Sequence, residues 1–391
     1  MITLLLTRIL YQRLGEAQFG LVNLALSVVL LCSIGVSYGY HLNGPKRMAL
    51  FREDTAKKQA LINEIIITRV LIAIGIAMGL FCLTYFLGFF QSYTLFLYYA
   101  LIVLFSEALF PMFYYQGSDK ISWLSLANIC AKGTYLLSIL FFVKLPKDAP
   151  IVNALFGLTA LMVNIVFWII IYKKEKIAWV WVGFHKIKAR LIENFQFFIA
   201  SIAGQVSIYG GLVILASFVN NIELGKYALA QKVALMLRMI PAFFTQAILQ
   251  KAAILFEKDK PQFKNYLRRI FLMGLSITFV IGMMVLISAK FIVFLLAGND
   301  VAYSVNVLKI LAFIPFLSML NFSNMIKILV DEKKHLLTKA TWITAISMLV
   351  LASLGSYYYG GYGMSWALVF TEIVSFIVYS LILRKDRHET S

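Results

Sequence analysis

Apolar residues in this chain gather in long runs that recur from one end to the other, each near the length a helix needs to cross a bilayer. A helix rises about 1.5 Å per residue, so about 20 apolar residues cross roughly 30 Å of hydrocarbon. The runs account for a composition that is 61% hydrophobic and only 14% charged. Soluble domains are about 45–50% apolar and about 25% charged. A water-soluble enzyme with one compact core is therefore excluded, as is a disordered chain. A transmembrane β-barrel would show short alternating segments, and the runs here are continuous. The fold class is an all-α polytopic membrane protein.

Spans are expected over 1–14, 19–40, 63–87, 94–115, 122–143 and 151–172, and again over 195–218, 226–249, 270–296, 303–326, 341–359 and 362–383. That makes about twelve transmembrane helices, six on each side of a polar stretch over 173–190. The stretch mixes Trp179 and Trp181 with Lys173, Lys174, Lys176, Lys186 and Lys188. Tryptophan among lysines suits a segment at the headgroup level; a plain solvated linker is the other reading. Of the 36 Lys and Arg, 25 fall in the loops over 41–58, 116–121, 173–190, 250–269 and 327–340 and in the tail. The opposite side holds only 5: Arg13, Lys144, Lys147, Lys226 and Lys290. Cytoplasmic loops collect Lys and Arg, so both termini are expected in the cytoplasm. The net charge of +18 thus reflects topology, and no nucleic-acid partner is expected. Cys32, Cys82 and Cys130 lie in apolar runs and read as small hydrophobes.

A shift of 205 residues lays Ile9-Leu10 on Ile214-Leu215, Gly20 on Gly225, Leu24-Ala25 on Leu229-Ala230 and Val28 on Val233. Lys57 and Gln59 fall near Lys260 and Gln262. The shared offset points to two parallel repeats, an N-lobe over 1–190 and a C-lobe over 191–391, with a central cavity. The helix before Gly225 starts near Phe195, whereas its counterpart before Gly20 has no room, so the first helix is expected to be truncated.

Three blocks carry a family resemblance. Leu5-Leu6-Thr7-Arg8-Ile9-Leu10, followed by Leu14-Gly15-Glu16-Ala17-Gln18-Phe19-Gly20-Leu21, resembles the opening of Wzx-type polysaccharide flippases. These are the O-antigen and capsule repeat-unit exporters of the multidrug/oligosaccharidyl-lipid/polysaccharide exporter superfamily. Gly39-Tyr40-His41-Leu42-Asn43-Gly44-Pro45-Lys46-Arg47 resembles the stretch after their second helix, and Gln116-Gly117 with Lys120 their loop after the fourth. Gly15-Glu16 departs from the family's common Gly-Pro. The resemblance implies a flippase of the bacterial cytoplasmic membrane. Its cargo would be an undecaprenyl-pyrophosphate-linked oligosaccharide, carried by alternating access for O-antigen, capsule or exopolysaccharide synthesis. Membrane lipids, a polysaccharide polymerase and a chain-length regulator are the implied partners.

A charge at the bilayer centre costs about 2.5–3.5 kcal/mol on insertion scales, so each one is a candidate functional group. Within spans lie Arg8, Arg69, Lys132, Lys232, Arg238 and Lys309, with Glu107 and Glu372. Arginine forks and lysine point charges suit a diphosphate. Arg8, Lys232, Arg238 and Lys309 are therefore the expected substrate-binding cations, against the alternative of snorkelling or structural pairing. Arg69 is expected to snorkel. Glu107 and Lys132 are expected either to pair or to couple transport to an ion, and Glu372 has the same two readings with no obvious partner. Pro241, Pro111 and Pro315 interrupt spans and are read as bends or packing features. The four histidines are expected in loops or the tail, and no metal, catalytic or nucleotide-binding pattern occurs. No catalysis, metal or cofactor is expected. A multidrug-type cation-coupled exporter and a membrane-embedded glycan polymerase remain the alternative readings.

Overall fold

The computed structural model describes the backbone of residues 2–88, 90–299, 301–331 and 333–390. No strand occurs among the described residues. The helices in chain order are α1 (Ile2–Ser37), α2 (Tyr40–Leu50), α3 (Thr55–Leu87), α4 (Thr94–Ala100), α5 (Ile102–Ala108), α6 (Met112–Gly117), α7 (Ile121–Phe142) and α8 (Ile151–Glu175). They are followed by α9 (Phe184–Leu215), α10 (Asn221–Lys258), α11 (Lys260–Ala297), α12 (Ala302–Leu311), α13 (Ile314–Leu320), α14 (Phe322–Val330) and α15 (Lys334–Thr390).

Ten helical stretches among the described residues are long and apolar enough to cross a membrane, against the twelve spans expected. Four of the ten contain internal breaks, two of them at residues of positive φ. The stretch Ile2–Leu50 leaves helical geometry at Gly15 and again at Tyr38 and Gly39. The stretch His335–Asp386 breaks at Gly360. Large apolar side chains face outward along the helices, among them Met78, Phe86, Ile129, Phe142, Ile287 and Phe291. A water-facing surface of that kind would drive association; in hydrocarbon it is the expected exterior, because apolar side chains are at home in lipid and charged ones are costly there.

The chain forms two compact units: residues 1–6 with 13–205, and residues 7–12 with 206–391. Each has its own core. In the first, Tyr40, Met48, Ile65, Phe113, Tyr114 and Trp168 pack together. In the second, Ile248, Phe263, Leu267, Met319, Phe322 and Ile326 do so.

The two units repeat one plan. Asp54 caps α3 by accepting from the Lys57 N–H at 3.0 Å, and Asp259 caps α11 by accepting from the Gln262 N–H at 2.8 Å. These capping pairs are related by the 205-residue offset read from the sequence. Both long helices then end at a left-handed glycine, Gly88 and Gly298. The next span is cut into three short helices in each unit, α4–α6 and α12–α14. The loop expected over 41–58 is in fact largely α2, so His41 sits on a helix, its Nδ1 3.0 Å from the Ser37 hydroxyl.

The motif glycines have a packing role. A Cβ on Gly117 would lie 2.5 Å from the Pro45 carbonyl oxygen, and one on Gly44 would lie 2.8 Å from the Phe113 Cβ. Two of the resemblance blocks are thus the surfaces on which α2 and α6 meet. The polar stretch after α8 lies against α3: Val182 and Ile187 bury beside Ile67, while Trp179, Trp181 and Phe184 remain exposed.

Candidate functional site

In the first unit the intramembrane charges assemble around the break between α5 and α6. Pro111 has no N–H, so the carbonyl of Glu107, four residues earlier, lacks its α-helical donor and keeps a single backbone bond, from the Phe110 N–H at 3.1 Å. Arg69 on α3 supplies a second, donating from Nη2 to that carbonyl. The same guanidinium donates from Nη1 to the Phe110 carbonyl at 3.2 Å and from Nη2 to the Glu107 carboxylate at 3.0 Å. Asn164 and Trp168 on α8 donate to the freed carbonyls of Ser106 and Leu109, at 2.8 and 2.6 Å. A broken span in hydrocarbon requires such donors.

Two expectations are corrected here. Arg69 does not snorkel; it is buried, with 4% of its surface exposed. The partner of Glu107 is Arg69 and not Lys132, which lies exposed on α7. Lys132 was the natural choice because its span follows next in the chain, whereas the bond is made across 38 residues.

In the second unit Arg238 on α10 reaches Glu372 on the far arm of α15, Nη2 to Oε1 at 2.7 Å. Its Nη1 also donates to the Ser207 carbonyl at 3.4 Å. Glu372 thus has the partner that sequence alone did not disclose. Beside the pair is a cavity of about 20 Å³ lined by Ser207, Gln231, Arg238, Ile314 and Met348. That is room for one water.

The remaining candidates are not gathered with it by any bond. Lys232, on the same helix, is half-buried and makes no hydrogen bond or ion pair among the described residues. Arg8 and Lys309 are exposed, also without such partners among the described residues. Residues 7–12, Arg8 among them, pack with the second unit, where Gln12 donates to the Leu296 carbonyl at 3.5 Å. Among the described residues no group of three or more His, Cys, Asp or Glu gathers as a metal site.

Other charged clusters tie elements together. Glu64 receives Arg47 and Arg190, both at 3.1 Å. Glu175 receives Lys58 at 2.7 Å and the Tyr114 hydroxyl at 2.5 Å. Glu223 receives the Tyr303 hydroxyl at 2.5 Å and the Gly361 N–H at 3.1 Å. The sequence signal for the pairs inside the spans was the presence of two acids among six cations in apolar segments. Each acid needed a partner, and which one took it was a tertiary matter.

Two broken-helix units with paired charges in apolar surroundings define a multi-pass membrane protein of the transporter fold. Residues 1–250 match the family described as polysaccharide biosynthesis protein, and the chain belongs to that family. Two curated relatives carry the name "Putative O-antigen transporter". The one from Shigella dysenteriae is 26% identical over 89% of this chain and 87% of its own. The one from Escherichia coli (strain K12) is 21% identical over 80% of this chain and 75% of its own. Among solved structures, an inward-facing multidrug resistance MATE family transporter of the MOP superfamily superposes with a TM-score of 0.78 at 12% identity, over 99% of this chain and 94% of its own. The lipid II flippase MurJ, in an inward closed conformation, superposes with a TM-score of 0.76 at 14% identity, over 98% of this chain and 85% of its own. The fold is therefore shared with both of these membrane proteins.

Proposed function

We propose that the chain is a flippase that carries an undecaprenyl-pyrophosphate-linked oligosaccharide across the bacterial cytoplasmic membrane by alternating access. The observation that carries this reading is membership of the polysaccharide biosynthesis family in a chain whose fold is shared with a lipid II flippase. The curated relatives named for O-antigen transport support it. The physical requirement is a set of cations for a diphosphate that must leave water. Lys232, Arg8 and Lys309 have no carboxylate partner among the described residues, and Arg238 is held by one titratable group. A diphosphate would compete with Glu372 for the Arg238 fork, so cargo binding would break the pair.

The test is export in a strain lacking its own repeat-unit flippase. The chain should restore surface polysaccharide, and Arg8→Ala and Arg238→Ala should each lower it with the protein still in the membrane. Normal export by both variants would remove the cation-based reading. The fold is equally close to a multidrug transporter. Purified protein that moves cationic dyes and leaves labelled lipid-linked oligosaccharide in place would establish that second reading instead.

A further inference from the structure

The first three turns of α11 carry Lys260, Lys264 and Arg268 at helical spacing of four, all exposed. None of the three makes an ion pair among the described residues. Like charges at that spacing repel one another on a helix, and no carboxylate among the described residues pairs with the stripe. It forms one wall of a groove of about 690 Å³ in the second unit. The opposite wall holds Asp331 and Asp386, but both bond Lys333, whose ammonium they hold above its ordinary range. The floor is apolar, with Phe263, Leu267 and Phe271.

Depth matters next. The uncharged part of this span starts at Ile270. At about 1.5 Å per residue, Arg268 lies about 3 Å and Lys264 about 9 Å beyond the hydrocarbon edge. Headgroup layers are about 5–8 Å thick on each side. The stripe therefore rises through the phosphate level with an apolar floor beneath it.

The first unit supplies an internal control. At the 205-residue offset, Lys264 corresponds to Gln59 and Arg268 to Asn63. Gln59 accepts from the Ala178 N–H at 3.1 Å, and Asn63 donates to the Ala178 carbonyl at 2.9 Å. There the corresponding surface is covered by the chain itself. The related groove, about 550 Å³, has its two arginines bound to Glu64. In the second unit the covering strand is replaced by open volume, and two neutral amides by cations.

We propose that this groove holds the phosphodiester headgroup of an anionic phospholipid, with its upper acyl carbons against Phe271, the apolar lining residue at the hydrocarbon edge. The ligand is a lipid of the surrounding leaflet, distinct from the transported cargo, and the site does not depend on the transport reading.

The experiment uses the purified full chain in neutral detergent, stripped of lipid, and titrated with phosphatidylglycerol or phosphatidylcholine while bound lipid is counted by native mass spectrometry. Phosphatidylglycerol should bind in preference to phosphatidylcholine. Lys264→Gln with Arg268→Asn, the residues at the first-unit positions, should weaken it about thirtyfold, since each surface cation contributes a factor of a little over about five. Lys264→Arg with Arg268→Lys should retain binding, and this pair keeps the test open if the neutral variant misfolds. Lys57→Gln with Lys186→Gln in the first-unit groove should leave it unchanged. Equal binding of the two lipids, full binding by the neutral double variant, or loss of equal size from the first-unit variant would each overturn the proposal. So would binding of a polyprenyl diphosphate that phosphatidylglycerol cannot displace, which would make the groove a cargo site.

Discussion

At Arg69 a single side chain performs two tasks, and a mutational series separates them. Removing one member of a buried ion pair leaves an uncompensated charge and costs about 3–5 kcal/mol. Arg69→Ala should fall in that range, read as a lowered unfolding midpoint in detergent. If pairing were the whole role, removing Glu107 as well would restore most of the loss. It should not, because the Phe110 carbonyl also loses its donor and the Glu107 carbonyl keeps only the Phe110 N–H. Arg69→Ala with Glu107→Ala should therefore recover less than half of the single-variant loss. The Arg238–Glu372 pair differs: its arginine retains 29% side-chain exposure and bonds only one carbonyl, weakly, at 3.4 Å. Glu372→Gln should leave the protein folded and inserted while changing transport, and a variant that exports at the normal rate would reduce the pair to a structural tie.

Among the elements, the fourth span of each unit shows where sequence reading stopped. Residues 94–115 and 303–326 are predominantly apolar, with one charge each, so they read as single spans. Hydropathy does not register a backbone break whose polar groups are bonded by neighbours. Pro111 and Pro315 marked the place, but Arg69, Asn164 and Trp168 could be assigned as the donors only with the packing known. The last two spans were legible because Gly360 and Gly361 separate them. The structure runs helix through both sides of that point with φ 55° and ψ −136° at Gly360, a conformation open to glycine alone. A Cβ there would also lie 2.4 Å from the Glu223 carboxylate that accepts from Gly361. Gly360→Ala should cost about 1–3 kcal/mol from backbone strain and more from the clash. Asn220→Ala, which removes the α10 cap bonded to the Glu223 N–H at 2.9 Å, should cost about 1 kcal/mol. Thermal unfolding of the two variants should rank them in that order.

For the whole molecule, the repeat was legible because helix starts are chemically marked. Asp54 and Asp259 cap α3 and α11 at the offset that Gly20 and Gly225 share. The 25-to-5 partition of Lys and Arg rests on the same helix boundaries. It requires the loops after α8 and α10 to face one side, and the loop between α7 and α8 to face the other. The charge bias orients short loops toward the cytoplasm. Alkaline phosphatase joined after Lys147 should therefore be active, and joined after Lys186 inactive, while a fluorescent protein at the C-terminus should mature and fluoresce. The groove of Lys260, Lys264 and Arg268 would then belong to the inner leaflet, the one richer in anionic lipid. The reverse pattern of reporter activity would place the basic loops outside. It would then contradict the charge rule itself, because the partition leaves no second set of cations able to set the orientation.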